Sequence, residues 1–337
     1  MNKVKINLSY LVIFAKFCIT AFILYQLISM LNFSEIMKYF RASNLAIVFI
    51  AFLLIILHML FISYRWRLII SLFTIQLPVV KLFKYLLIGH FFRNLFPFFL
   101  TGDIVRVWLC AEINFSVSKA AFTVVVDRIS GIAGLLLISF SAAVMSEFVH
   151  PTVWAMLGLF FFSGVVVCFL YVFFLHKNKI ILWQPNRPTF KKIESFFYDV
   201  DRFIMNVIIK SPINLIKIMI LSLASNFMIL LSMYSIAVAV DCPITFLQAL
   251  LYFPIVLLAA FIPLSIGGWG VREGAMIFIF SFLLLPSEMA LTISVIFGVL
   301  SSLIGLVGAP LWLLHRSSVQ QNEKISAVKH LVISESA

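Results

Sequence analysis

Six stretches of 20 to 28 residues are predominantly apolar: 10–31, 44–63, 120–145, 152–175, 213–240 and 289–314. About 20 such residues are enough to cross a bilayer as a helix. A chain with six of them is solvated by lipid rather than by water. Its composition agrees, with 63% hydrophobic and 11% charged residues and a mean hydropathy of +1.14, where soluble domains carry about 25% charged residues. Barrel strands alternate over about ten residues, so runs of this length predict an all-α, polytopic helix bundle. Residues 1–337 are expected to form a single integral membrane domain.

The first run follows Lys3 and Lys5. It is too long for a signal-peptide core and lacks a clear small-x-small cleavage site, so it is read as a retained anchor. The net charge of +12 is read as an orientation signal. The loop 176–210 holds Lys177, Lys179, Arg187, Lys191, Lys192, Arg202 and Lys210 against Glu194, Asp199 and Asp201, whereas the turns 146–151, 241–243 and 286–288 contain no Lys or Arg. This asymmetry predicts a multi-pass protein of the cytoplasmic (inner) membrane with both termini in the cytoplasm. Within the loop, Phe190, Ile193, Phe196, Phe197, Val200 and Phe203 recur at helical spacing, which suits a helix lying on an anionic leaflet. Residues 315–337 are expected to form a flexible cytoplasmic tail. Cys18, Cys110, Cys168 and Cys242 show no C-x-x-C or zinc spacing, so neither disulfides nor a metal site is expected.

Two further apolar stretches are interrupted. FPFFLTGDIVRVW (96–108) and IPLSIGGWGVREG (262–274) both read Pro-x4-Gly-x3-Arg, through Pro97, Gly102 and Arg106 and through Pro263, Gly268 and Arg272. The paired positions are 166 residues apart, about half the chain. Three long runs separate the copies, an odd number of crossings, which predicts two inverted halves, 10–145 and 152–314, with broken or re-entrant helices. Pro ends a helix and Gly permits the backbone to reverse, so Pro97, Gly102, Pro263, Gly267, Gly268 and Gly270 are expected to form helix breaks that line a cavity. New helices are expected to start at Asp103 and Val271, their free N–H groups facing a shared cavity.

Asp103, Arg106, Asp127, Arg128, Arg272 and Glu273 lie within or beside apolar sequence. Each would cost about 2.5 to 3.5 kcal/mol at a helix centre if unpartnered. These six are the candidate substrate-binding residues. Sequence neighbours do not face one another on a helix, so Arg272 with Glu273 is not an expected pair. Cross-pairing between halves is: Asp103 with Arg272 or Arg128, and Glu273 with Arg106, in at least one conformational state. Arg65, Trp66 and Arg67 read as an interface anchor, and His58 as a packed histidine. His90 and Arg93, three apart with Lys81 and Lys84 before them, give their helix a polar stripe facing protein or water.

No nucleophile elbow, P-loop, H-E-x-x-H or dinucleotide fingerprint occurs, and no cofactor is implied. The motifs SYRWRLI around Arg65, FPFFLTGDIVRVW, VVVDRISGIAGL around Asp127 and PLSIGGWGVREGA, in that order, resemble the lysylphosphatidylglycerol synthase transmembrane-region family, also called flippase-like or UPF0104 proteins. The resemblance covers roughly 10–314. In this family, members fused to a cytosolic aminoacyl-transferase domain make lysyl-phosphatidylglycerol and carry it across the bilayer; the synthase activity is not carried over here, because that domain is not seen in this chain. Phe98, Phe99, Leu100 and Thr101 stand where a more glycine- and serine-rich stretch is expected. The resemblance implies a stand-alone translocator of an anionic, aminoacylated or polyprenyl-phosphate-linked lipid, and its motifs fall on the six charged residues named above. Two other classes remain open: an intramembrane lipid-modifying enzyme using Asp103 or Glu273 as a base, and an accessory subunit of a lipid or glycan synthase. The expected partners are a membrane lipid, a second copy of the chain or such a biosynthetic enzyme, and no nucleic acid.

Overall fold

The computed structural model describes residues 33–73, 75–96, 100–113, 115–146, 149, 151–155, 158–159, 212–261 and 268–317. The apolar run 10–31, most of 152–175, the loop 176–210, the tail beyond 317 and the break residues Pro97, Pro263 and Gly267 lie outside them. The elements are α1 (Phe33–Ala42), α2 (Leu45–Ser71), α3 (Val79–Leu95), α4 (Thr101–Ala111), α5 (Val117–Met145), α6 (Pro212–Ala239), α7 (Phe246–Ala259), α8 (Val271–Phe282) and α9 (Ser287–Leu306), which continues past a turn at Val307 to Ser317. No strand occurs among the described residues.

Four helices, α2, α5, α6 and the extended α9, are long and apolar enough to cross a membrane. They coincide with four of the six apolar runs. α2 extends eight residues beyond its run, from Ser63 to Ser71. The extension is held because Trp66, Ile69 and Ile70 are fully buried against the rest of the bundle.

The distribution of polarity is the reverse of a soluble protein's. Leu45, Phe49, Ile50 and Leu53 on α2, Ile129, Leu137, Phe140 and Val144 on α5, and Ile213, Ile216 and Ile220 on α6 point outward. Arg65, Asp103, Arg106, Asp127, Arg272 and Glu273 are buried. An exposed surface of large aliphatic side chains around an ionic interior is stable only where hydrocarbon surrounds it. The protein is therefore an all-α, polytopic membrane protein.

Small and hydroxylated residues bring the helices together, as expected where packing rather than water drives association. The most extensive packing is between α2 and α6, where Ser232 Oγ donates to the Ala51 carbonyl (2.9 Å) and His58 Nδ1 to the Ser225 carbonyl (2.7 Å). Ser139 Oγ on α5 donates to the Leu251 carbonyl on α7 (2.6 Å), and Asn226 Nδ2 on α6 to the Gly131 carbonyl on α5 (2.8 Å). α3 and α4 touch backbone to backbone: a Cβ on Gly89 would lie 2.7 Å from the Gly102 carbonyl oxygen. Gly102 thus serves helix contact as the second residue of α4 rather than chain reversal, which corrects the break expected there, while the residue does line the interior cavity. α4 starts at Thr101, two residues before the expected Asp103, while α8 starts at Val271 as expected.

Candidate functional site

One face of each of several helices turns inward at helical spacing. α2 presents Ile55, His58, Met59, Ile62 and Arg65; α3 presents Leu86, Gly89, His90, Arg93 and Asn94; α5 presents Asp127, Arg128, Gly131 and Leu135. Together with Asp103 and Arg106 of α4, Asn226 and Ile229 of α6, Leu257 of α7, Trp269 and Arg272 at the start of α8, and Phe297, Gly298, Ser301 and Ser302 of α9, they enclose a cavity of about 250 Å³. Segments on both sides of residue 150 contribute to its wall.

Charge is concentrated where α2, α4 and α5 meet. Asp127 accepts Arg65 Nε at 2.8 Å and Arg106 Nη2 at 3.0 Å. Asp103 accepts Arg128 through Nε (2.9 Å) and Nη2 (3.1 Å), and Arg106 through Nη1 (3.5 Å). Arg65 Nη1 also donates to Ser222 Oγ on α6 (3.1 Å). The Arg106 guanidinium lies 4.0 Å from the Trp66 ring centroid, and its Nε is buried with no hydrogen-bond partner among the described residues. Trp66 Nε1 is fixed by Thr123 Oγ1 (3.2 Å). Arg65 and Trp66 are 4% and 0% exposed, so these two are interior residues and not an interface anchor; Arg67 is the one of the three that faces outward. Side chains seven apart, His58 and Arg65, share a helix face, and that spacing is the sequence signal that would have placed Arg65 in the site.

At the start of α8, Gly268 (φ +83°) and Gly270 (φ +89°) reverse the chain in a backbone region that L side chains rarely adopt. Glu273 reaches back to accept the Gly270 N–H (2.6 Å), and its other oxygen accepts Arg272 Nη2 (2.5 Å), Arg272 Nε (3.2 Å) and Ser294 Oγ (2.9 Å). The expected avoidance between these sequence neighbours is overturned. Side chains in a first helical turn lean toward the N-terminus, and a long guanidinium can follow Glu273 there. The helix start expected to offer free N–H groups is consequently occupied by this carboxylate. Arg272 also donates to Ser294 Oγ (2.9 Å) and lies over the Trp269 and Phe297 rings, 5.0 and 5.4 Å from their centroids. Gly298 leaves the space for it, since a Cβ there would collide with the guanidinium.

Of the expected ion pairs, Asp103 with Arg128 is present, while Glu273 takes Arg272 instead of Arg106. Among the described residues no arginine–carboxylate pair crosses between the two segments. What crosses is hydrogen bonding. His90 Nε2 donates to the Ser301 carbonyl (3.0 Å), which leaves Nδ1 to accept Arg93 Nη2 (2.6 Å). His58 bridges to Ser225 in the same way. Asp103, Arg106, Asp127, Arg128 and Arg272 line the cavity, and Glu273 stands directly behind Arg272. Asn226, Trp269 and Ser301 line it without having been singled out in the sequence, because a lone small polar or aromatic residue in an apolar run carries no charge pattern.

Among protein families, the one described as "Lysylphosphatidylglycerol synthase TM region" matches residues 13–308. Comparison with curated proteins gives no match, and comparison with solved structures gives none either. With the match running through every helix that walls the cavity up to α9, the chain belongs to the lysylphosphatidylglycerol synthase transmembrane-region family.

Proposed function

We propose that the protein is a lipid translocator of the cytoplasmic membrane, in which two inverted halves present one polar cavity alternately to the two leaflets. The observation that carries this reading is the arginine-rich cavity of about 250 Å³ inside a bundle whose outer face is aliphatic. That volume lies just below the range of about 300–1,000 Å³ typical of sites for whole small molecules. It suits a headgroup whose acyl or polyprenyl chains remain in the bilayer. Family membership supports a lipid-related function at a membrane.

Intramembrane charges ordinarily mark a substrate pathway. Arg106 and Arg272 stand on opposite sides of the chain's midpoint and line the same cavity, which supports joint contact with one headgroup phosphate. Guanidinium groups suit that task, because their planar donor fork matches phosphate oxygens. Asp103 and Glu273 are already engaged by arginines, and they serve here as counter-charges that hold those arginines in position. Both termini lie in the cytoplasm, on the side of the basic loop 176–210.

Reconstitution into proteoliposomes with fluorescent lipids tests the reading. Transbilayer movement is expected with the native protein, and Arg106→Ala and Arg272→Ala, checked for a monodisperse profile, are each expected to abolish it. Undiminished movement in both variants removes these arginines from the site, and no movement of any lipid by the native protein removes the function.

A further inference from the structure

The charges around the cavity do not balance. Five guanidiniums line it, those of Arg65, Arg93, Arg106, Arg128 and Arg272. Three carboxylates are paired with them: Asp127 holds Arg65 and Arg106, Asp103 holds Arg128 and Arg106, and Glu273 holds Arg272. With the histidines uncharged, five against three leaves an excess of two positive charges.

One of the two is shared by Arg65, Arg106 and Arg128, three guanidiniums on two carboxylates, and the other is at Arg93. Its guanidinium donates to His90, a neutral acceptor, and among the described residues it has no carboxylate within ion-pairing distance. Arg128, Asp103, Arg272 and Arg106 are its electrostatic neighbours, three cations to one anion. His90 is a positioning residue. Its Nε2 is committed to the Ser301 carbonyl of α9, in the other segment, so its Nδ1 lone pair is fixed to aim the guanidinium of Arg93 on its own helix. A charge partly withdrawn from water without a counter-charge of its own is costly; Arg93 is half-buried, and the one carboxylate near it, Asp103, is already bound by Arg128 and Arg106. The missing counter-charge belongs to the ligand.

The geometry points to a headgroup ending in a phosphomonoester, which carries about two negative charges near neutral pH, as the cargo, with Arg93 as the residue that selects it. A phosphodiester headgroup with no other charge neutralises half of the excess. A zwitterionic headgroup neutralises none of it. An aminoacylated headgroup adds an ammonium to a site already in cationic excess, which at short range and an effective protein dielectric disfavours it by about tenfold or more. The presence of a lipid in the cavity rests on the translocator reading above; the preference among headgroups rests on the charges.

Full-length protein in an uncharged detergent is titrated calorimetrically with dioctanoyl phosphatidic acid, phosphatidylglycerol, phosphatidylcholine and lysyl-phosphatidylglycerol, and with inorganic phosphate. Phosphatidic acid is expected to bind at least about tenfold more tightly than phosphatidylglycerol, as one added charge-assisted hydrogen bond provides. Phosphatidylcholine and lysyl-phosphatidylglycerol are expected to show no saturable binding. Arg93→Gln is expected to bring phosphatidic acid down to the level of phosphatidylglycerol, and Arg93→Lys to keep the order. Equal affinity of the native protein for phosphatidic acid and lysyl-phosphatidylglycerol overturns the inference without any variant, as does undiminished selectivity in Arg93→Gln. Inorganic phosphate binding at least about tenfold more weakly than phosphatidic acid supports a lipid source; equal binding overturns the lipid assignment. Selective binding without transbilayer movement in proteoliposomes supports this inference and removes the translocator reading, whereas movement without headgroup selectivity does the reverse.

Discussion

Arg65 of α2 and Asp127 of α5 meet at 2.8 Å, with side-chain exposures of 4% and 3%. They lie 62 residues apart in sequence, and each is also bound by a third element: Asp127 accepts Arg106 of α4, and Arg65 donates to Ser222 of α6. Four helices are thus tied at one buried ionic point. Such a knot stabilises only as a unit, because removing one member leaves the others charged and dry.

Asp127→Asn is accordingly expected to cost about 3–5 kcal/mol, read as a lower melting temperature in detergent. The double variant Arg65→Met with Asp127→Leu is expected to cost less than the sum of its two single changes, because it removes the stranded charge along with its partner. Strict additivity would show that the two groups do not form a functional pair in solution.

Gly89 and Gly274 are predicted to respond to alanine with opposite signs. A Cβ at Gly89 would stand 2.7 Å from the Gly102 carbonyl oxygen, a backbone atom that cannot swing aside, whereas a Cβ at Gly274 meets nothing within 4 Å. Gly89→Ala is expected to destabilise by about 1–3 kcal/mol through overpacking of α3 on α4. Gly274→Ala, in the first turns of α8, is expected to stabilise by about 0.5–1 kcal/mol. Thermal melts of the two variants side by side decide it.

The turn into α8 depends on a conformation that side chains disfavour. Gly270 has φ +89° and ψ −52°, and its N–H is capped by Glu273. Gly270→Ala is expected to cost about 1–3 kcal/mol in backbone strain. It is also expected to weaken phosphatidic acid binding, since Arg272 is aimed by the same Glu273. A variant that melts earlier yet binds normally would separate the turn from the site.

Cys242, in the loop between α6 and α7, has its thiol pushed up to about 11 by burial. The group is neutral in the folded protein well beyond the pH at which an unfolded thiol ionises, near 8.5. Its contribution to stability is therefore complete below about pH 8.5 and is lost as pH rises from there toward 11. In a variant with Cys18, Cys110 and Cys168 replaced by serine, maleimide labelling at pH 7.5 is expected to be slow in the folded protein and fast in denaturant. Equal rates in both states would contradict the burial of this thiol.

The membrane class, the four long helices and the approximate location of the ionic cluster were legible in the sequence, because hydrocarbon imposes a length on apolar runs and a cost on every charge within them. Asp103, Arg106, Asp127, Arg128 and Arg272 could be singled out on that cost alone. Their partners could not. Asp127 pairs with Arg65, which reads along the chain as the polar end of a span, and Glu273 pairs with its own neighbour through a backward lean that spacing rules do not anticipate.

Composition and run length determined by themselves that this chain folds in lipid and keeps its few charges inside, since both follow from solvation energies that act residue by residue. Which arginine meets which carboxylate, that Gly102 is a contact rather than a hinge, and that Arg93 is left with a histidine for a partner were decided by tertiary structure. Those outcomes depend on helix rotation and on distances of a few ångströms between elements far apart in the chain, and solvation sets neither.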